Sequence, residues 1–436
     1  MMNSSNSQQE IASCVQKNQK QLEDEVVGRF LRYVQVFTTS DKNSQSLPST
    51  RRQFDLARML EKEIQQMISD FAAGVDCSVR LTEQCYVLAS FAGSGAAADF
   101  EPLCLLAHMD TSPDAPGENV RPRVWQKYDG GDLQLGEGTV LTVQENPLLK
   151  NYTGEAIITS SGDTLLGADD KAGIAEIMTA VGFLLQHPEI PRPPLEIVFT
   201  PDEEIGRGLD GFSPDMIRSR AAYTFDGGQE GELEAECFHA ARARISFAGK
   251  AIHPGFARGR LVNAVSMAAA FVQMLPRNES PEATDGRHGY YAPLEIRGRI
   301  DSAELDVYLR DFELTEEQRR IDALRAMAAA VEAQFPGGRV EVEIDQQYRN
   351  MRDAVAKRPE LLELARRAMS DAGVQPLEKS IRGGTDGARL SEMGIPTPNI
   401  FAGGMNFHSL QEWIPVPALV SATKTAILLV YHWGSR

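Results

Sequence analysis

The run LLAHMDTSPD at residues 105–114 ends a buried-looking apolar stretch in His108, with Asp110 two residues further on. A strand that only had to stop could do so with Gly or Asn. Imidazole nitrogen and carboxylate oxygen are donors that zinc accepts. With 7 histidines and 61 acidic residues in 436, about one His-x-acid pairing arises by chance, so the pair alone also reads as a capped strand end. Three further stretches place carboxylates in a similar setting. LLGADDKAG puts Asp169 and Asp170 at the opening of a helical pattern, where acids meet the helix dipole and its free N–H groups. The glycine before them also suits a tight turn that aims one carboxylate outward. FTPDEEIGRG sets Glu203 and Glu204 side by side after an apolar run. Adjacent carboxylates repel unless a cation offsets them, and the two can divide metal binding from proton transfer; a solvated loop is the plainer alternative. YTFDGG ends a strand in Asp226, a common turn sequence, and His408 follows a glycine turn in FAGGMNFHSLQEW.

The elements that must position these residues alternate along the chain. Residues 1–20 are polar and read as frayed. Helical periodicity runs from about Glu23 to Phe37 and over 51–67, with the polar loop TTSDKNSQSLPST between. Short β-like runs follow (CYVLASF, PLCLLAHMD, LTV, EAIITS), then a long helix from DDKAG, then the strands PLEIVFT and AAYTFDGG. This alternation predicts an α/β fold with a mixed, largely parallel sheet flanked by helices. The pattern changes near Phe238. ARARISFAGKAIHPG alternates at period two, NAVSMAAAFVQMLP is a helix with Asn263 as N-cap, PLEIRGRID and ELDVYLRDFE are a strand pair, TEEQRRIDALRAMAAAVEAQF is a helix opened by a Thr315–Gln318 capping box, and RVEVEIDQQY closes as a strand. That β-α-β-β-α-β order predicts an inserted ferredoxin-like α+β domain. The expected boundaries are 1–237 and 350–436 for the larger domain and 238–349 for the insert.

In a parallel sheet the carboxyl ends of the strands share one edge, and ligands bind in the crevice there. His108, Glu203, Glu204 and Asp226 would share that rim, and Asp169 begins a helix that can point at it. Two histidines and three or four carboxylates suit Zn2+, and Mn2+ or Co2+ would also fit. More oxygen donors than one tetrahedral ion needs implies two ions sharing a carboxylate. The formal net charge of −17 argues against nucleic-acid or anionic-membrane partners. No apolar run is long enough to span a bilayer, and the polar N-terminus lacks the apolar stretch of a secretory signal. The five cysteines have no CxxC spacing, so a disulfide framework or thiolate zinc site is not expected and a cytoplasmic location is.

The order HMDTSPD, LLGADDKAG, TPDEEIG, FDGG, IHPG, YRNM, RGGTDG and NFH resembles the co-catalytic zinc peptidases that include peptidase T, carboxypeptidase G and the succinyl-diaminopimelate desuccinylase. RGGTDG and YRNM point to the tripeptide aminopeptidase branch, that of peptidase T. The resemblance covers the chain from about Glu23 to its C-terminus. It implies two Zn2+ per subunit, with His108 and Asp226 on one, Glu204 and His408 on the other, and Asp169 bridging them across a cis Asp169–Asp170 peptide. It implies that Asp110 orients His108, that Glu203 is the general base and acid, and that His253 stabilises the oxyanion. Arg310 and Arg382 are the candidates for the peptide carboxylate. The activity implied is release of the N-terminal residue from short peptides, tripeptides first, with the insert acting as a lid. A homodimer through that lid is a further expectation. The alternatives are a sister dipeptidase or N-acyl-amino-acid deacylase, and a non-catalytic binding protein on the same scaffold.

Overall fold

The computed structural model describes residues 4–436. It divides into two compact units, one comprising Met1–Ala235, Asp353–Lys379 and Thr385–Arg436, the other Glu236–Arg352 with Ser380–Gly384.

The first unit is built on an eight-stranded sheet. Its strands lie in the order Cys77–Leu81, Val87–Phe91, Leu195–Thr200, Leu103–His108, Ala222–Gly227, Asn399–Phe401, Glu232–Cys237 and Leu377–Ile381. The four from Leu195–Thr200 to Asn399–Phe401 run parallel. Period-two side-chain alternation feeds two cores. Leu103, Leu105, Ile197, Phe199, Tyr223 and Phe225 enter one, while Cys104, Leu106, Val198 and Ala222 enter the other. Helix Ala168–Gln186 is mostly apolar beyond its first turn and buried almost throughout, as expected for a helix enclosed between other layers. It packs on the strands ending at His108 and Gly227, and under helices Gln19–Tyr33 and Val416–Trp433. Gly173 permits that approach: a Cβ there would lie 2.0 Å from the Phe225 carbonyl oxygen.

The polar N-terminus is not frayed over the described residues. Ser4–Lys17 is a helix, and Val15 is buried with Ile11, Ala12 and Cys14 packed beside it. An apolar stripe within a polar segment was enough to seat it.

The second unit is a four-stranded antiparallel sheet in the order Tyr290–Gly298, Ser302–Asp311, His239–Ala248, Arg339–Tyr348. Helices Ala264–Met274 and Leu314–Gln334 pack on the sheet and share its core, so the chain order is β-α-β-β-α-β. Asn263 does cap its helix, its Oδ1 accepting from Val265 N and Ser266 N. The Thr315–Gln318 capping box does not form. Glu313 is the N-cap and makes no side-chain cap bond. The chain leaves the preceding strand through Asp311, whose Oδ1 accepts from Glu313 N and whose Oδ2 pairs with Arg320. That places Thr315 inside the first turn, and Gln318 bonds Asp322 instead.

Candidate metal centre

His108 is the last residue of its strand and 2% exposed. Its Nδ1 lies 3.1 Å from the Asp110 carbonyl oxygen and 3.4 Å from Asp110 Oδ1. A proton on Nδ1 satisfies that carbonyl and leaves Nε2 as the free donor. Nε2 points at Asp169 Oδ1 (2.9 Å) and Asp226 Oδ1 (3.5 Å). The Asp110 carboxylate has a second task. It accepts from Glu203 N at 2.9 Å and Glu204 N at 3.2 Å, tying the glutamate turn to the histidine strand.

Asp169 stands at the start of the central helix, after Gly167 in the left-handed region, and the Asp169–Asp170 peptide is cis. The free N–H groups of this helix start are capped from far away. The buried carboxylate of Glu412 accepts from the backbone of Leu166 (2.6 Å), Gly167 (2.8 Å), Ala168 (2.7 Å) and Asp169 (3.2 Å). Asp169 is thereby freed from capping duty and turned outward. Asp170 points inward, with Oδ2 accepting from His108 N and Oδ1 from Gly173 N.

His408 lies on a loop with φ +60°. Its Nε2 is 2.9 Å from Glu204 Oε2 and 3.1 Å from Asp169 Oδ2. Two donor groups result, His108 with Asp169 and Asp226, and Asp169 with Glu204 and His408. Within each, the donor atoms lie within 4.8 Å of one another. They share Asp169, which is the arrangement of a dinuclear metal site.

The electrostatics point the same way. Burial disfavours the charged form of His108, yet Asp226, Asp110 and Asp169 hold it well above the ordinary histidine value. Burial also opposes protonation of His408, but its hydrogen bonds to Asp169 and Glu204 raise it to about 11. Burial would raise Asp169, yet its two histidines hold it well below the carboxylate range. Burial, aided by Asp169, pushes Glu204 up to about 8, and burial pushes Asp226 to about 6 against the pull of His108. So much negative charge in an enclosed rim calls for cations. Glu204 Oε1 is buried and has no hydrogen-bond partner, which is the state of a ligand oxygen awaiting one. The donor set of imidazole nitrogen and carboxylate oxygen fits a pair of divalent ions.

Glu203 is half-buried on the same turn. Its removal from water holds its carboxyl well above the usual range; Asp226, Asp386 and Glu204 add to this and His108 opposes it. Two acids here carried no role in the sequence analysis. Glu412 is one. Asp386, within RGGTDG, is the other: it is buried, accepts from Thr200 Oγ1 at 2.6 Å, and is pushed up to about 7 by burial. Gly208 makes room for it, since a Cβ there would lie 2.1 Å from Asp386 Oδ1.

The remaining candidates lie in the second unit. His253 is exposed, and its Nδ1 accepts from Gly255 N at 3.1 Å. Arg310 is buried. Its Nη1 donates to the Ala241 and Leu309 carbonyls and its Nη2 to Gln347 Oε1, and the guanidinium lies over Tyr308 and Tyr348. Arg382 donates to the Gly286, His288 and Thr284 carbonyls and to Thr284 Oγ1, and stacks against Phe238 and Tyr290.

A family model for peptidase family M20/M25/M40 matches residues 164–432. The peptidase T of Geobacillus thermodenitrificans is 44% identical over 411 residues, covering 94% of this chain and 98% of that protein. Among solved structures, the aminopeptidase PepT of Bacillus cereus superposes with a TM-score of 0.71 at 20% identity, over 95% of this chain and 99% of that one. A tripeptidase from Staphylococcus aureus superposes with a TM-score of 0.73 at 19% identity, with the same coverage. The two superpositions show a common fold, and the sequence matches place the relationship: the chain belongs to peptidase family M20/M25/M40, within its peptidase T group.

Proposed function

We propose that the chain is a two-metal aminopeptidase that releases the N-terminal residue from short peptides, tripeptides above all. The observation that carries this reading is the pair of donor triads joined through Asp169, with Glu203 on the turn beside them. His108 and Asp226 would hold one Zn2+, Glu204 and His408 the other, and Asp169 both. Held there, two such cations polarise a scissile carbonyl and make a water more acidic.

The chain's own residues do the rest. Glu203 takes a proton from the attacking water and later gives one to the leaving amine nitrogen, so that one peptide and one water yield an amino acid and a shortened peptide. A carboxyl held above its usual pKa is suited to that two-way exchange. Asp110 fixes both the His108 ring and the backbone of Glu203. The second unit acts as a lid. Because Nδ1 of His253 is an acceptor, the neutral ring carries its proton on Nε2, which is the donor an oxyanion needs. Arg310 and Arg382 are the candidates for the carboxylate of the substrate, Arg310 held by three hydrogen bonds within the protein and Arg382 by four.

No helix among the described residues is long and apolar enough to cross a membrane, and the five cysteines are free; both support a cytoplasmic enzyme. Leu294 and Ile296, each 51% exposed on an edge strand of the second unit, support a homodimer through that unit, which light scattering would test.

The test of the activity is hydrolysis of di-, tri- and tetrapeptides by the metal-loaded protein, beside an N-acetylated tripeptide. The expected result is fastest release from the free tripeptide and none from the blocked one. Preferred cleavage of the acetylated peptide would instead identify a deacylase. Unchanged turnover in Glu203→Ala would remove Glu203 from its role.

A further inference from the structure

The segment Val36 to Gln53 contains the polar loop TTSDKNSQSLPST, and no residue in it has a part in the chemistry above. It nonetheless grips three of the turns that carry the rim. Thr39 forms a parallel bridge with Thr111, the residue after Asp110; the two hydroxyls are 2.9 Å apart, and Ser40 N donates to Thr111 O at 3.2 Å. The Val36 carbonyl accepts from Lys171 Nζ at 2.7 Å, next to Asp169–Asp170. The third grip is on Asp202, immediately before Glu203. Its carboxylate accepts from Ser49 N (2.6 Å), Ser49 Oγ and Gln53 Nε2 (2.6 Å), while Gln53 Oε1 accepts from Asp202 N at 3.1 Å. Asp202 and Gln53 are 0% exposed and Ser49 6%. Asp202 also sits at φ +55°, a left-handed conformation that costs a non-glycine residue free energy.

A buried carboxylate whose partners come from a segment 149 residues away in sequence is a costly way to close a surface turn. It is a good way to immobilise the neighbouring glutamates. The Glu203–Glu204 turn is thus held on one side by Asp110 and on the other through Asp202. We propose that residues 36–53 form a strap that sets the position of Glu203, with Asp202 as the positioning residue through which the strap acts. The proposal rests on the reading of Glu203 as the proton carrier. Proton transfer needs heavy atoms within about 2.6–3.2 Å, and a misplacement near 1 Å costs about 10²-fold in rate.

Asp202→Asn is the first test. Asn is well tolerated at positive φ, but its amide nitrogen cannot accept from the Ser49 or Gln53 donors. For a tripeptide the expected loss is about 10²-fold in kcat, with KM moved by less than about threefold because ground-state binding is untouched. Metal content should stay at two equivalents. Ser49→Ala should lose about tenfold in kcat, and Ser49→Thr, which keeps the hydroxyl, should restore it. In a Glu203→Gln background Asp202→Asn should cost nothing more, because the group it positions is gone. A folded Asp202→Asn enzyme with kcat within about threefold of wild type, or one whose loss multiplies undiminished in the Glu203→Gln background, overturns the strap. If Asp202→Asn does not fold, Ser49→Ala carries the same two criteria. The two failures are distinguishable. Wild-type turnover in Glu203→Gln overturns the base assignment on which the strap rests, whereas a slow Glu203→Gln beside a fast Asp202→Asn overturns the strap alone.

Discussion

The two halves of the metal centre are built differently. The half around His108 grows out of the sheet. Its histidine ends a central strand with parallel neighbours on both sides, the imidazole side chain is 2% exposed, and Asp226 is the last residue but one of the next strand over. The half around His408 rests on a loop, with the imidazole side chain 39% exposed and the backbone at φ +60°. Asp169 faces both halves. The inner half is preorganised by hydrogen-bonded strands, so it loses little freedom on binding a cation. The outer half must hold its loop in an unfavourable backbone conformation. The inner site is therefore expected to bind its ion more tightly and the outer to exchange more readily.

The largest effect should come from the residue the halves share. Asp169→Asn keeps the shape but removes the bridging charge, and both ions should be lost together. Activity should fall by at least about 10³-fold, and elemental analysis should find less than one equivalent of metal. Retention of one tightly held ion would show that the inner half stands without its bridge.

Removing the histidines one at a time separates the halves. His108→Ala leaves the half-buried Asp169 and Asp226 facing each other without their imidazole. The metal-free protein should lose about 3 kcal/mol in denaturant unfolding. His408→Ala removes a half-exposed side chain, so its stability loss should stay under about 1 kcal/mol, and one metal equivalent should remain. Equal losses of metal and stability in the two variants would erase the distinction.

Groups in both halves are held above their ordinary values. Without cations, Asp226 is raised to about 6, Glu204 to about 8 and His408 to about 11. Raised values mean that the folded chain holds more protons than the unfolded one, so its stability falls as pH rises. Asp226 contributes this loss up to about pH 6, Glu204 up to about 8, and His408 from near 6.5, its unfolded value, up to about 11. Bound cations take the place of those protons, so metal affinity rises over the same range. Between about pH 6 and 9 the melting temperature in chelator should fall, and its gap from the metal-loaded protein should widen. His408→Ala should lessen the slope above about pH 7, with His108, also held above its ordinary value, keeping part of it. Parallel melting curves with and without metal would refute the assignment.

What could be read from the sequence shows the same division between near and distant partners. His108, Glu203, Glu204 and Asp226 were legible because a strand pattern marks its own end, and the ends of parallel strands share an edge. The βαββαβ order of the second unit was legible for the same local reason, and Asn263 caps N–H groups only two and three residues away. Glu412 was not legible. It stands four residues after His408 and caps a helix more than 240 residues upstream, and nothing in QEW announces that. Asp202 was not legible either, because its donors lie at 49 and 53. The Thr315–Gln318 box failed in the opposite sense: the motif was present, but Asp311 and Arg320 set where the helix begins. The apolar stripe of Ile11, Ala12 and Val15 was short enough to be masked by its polar surroundings.

The smallest expected effect tests the weaker half alone. Asn406, two residues before His408, has φ +56° and donates from Nδ2 to Asn146 Oδ1 at 2.7 Å and to the Gln411 carbonyl at 3.2 Å. Asn is among the residues that tolerate this backbone region, and Ala is not. Asn406→Ala removes both bonds and makes the left-handed conformation costlier, so the loop should relax and carry the His408 ring away from Glu204. Loss of a residue that orients a ligand typically costs about 10 to 100-fold in metal affinity, and about tenfold is expected here because the loop keeps the hydrogen bond from Ser409 Oγ to the Asn406 carbonyl. Competition with a chromophoric chelator would show this as a shift in the weaker of two binding steps, with the tighter step unmoved. A shift in both steps would mean that the loop supports the whole centre, and that the strand-built half is not independent of it.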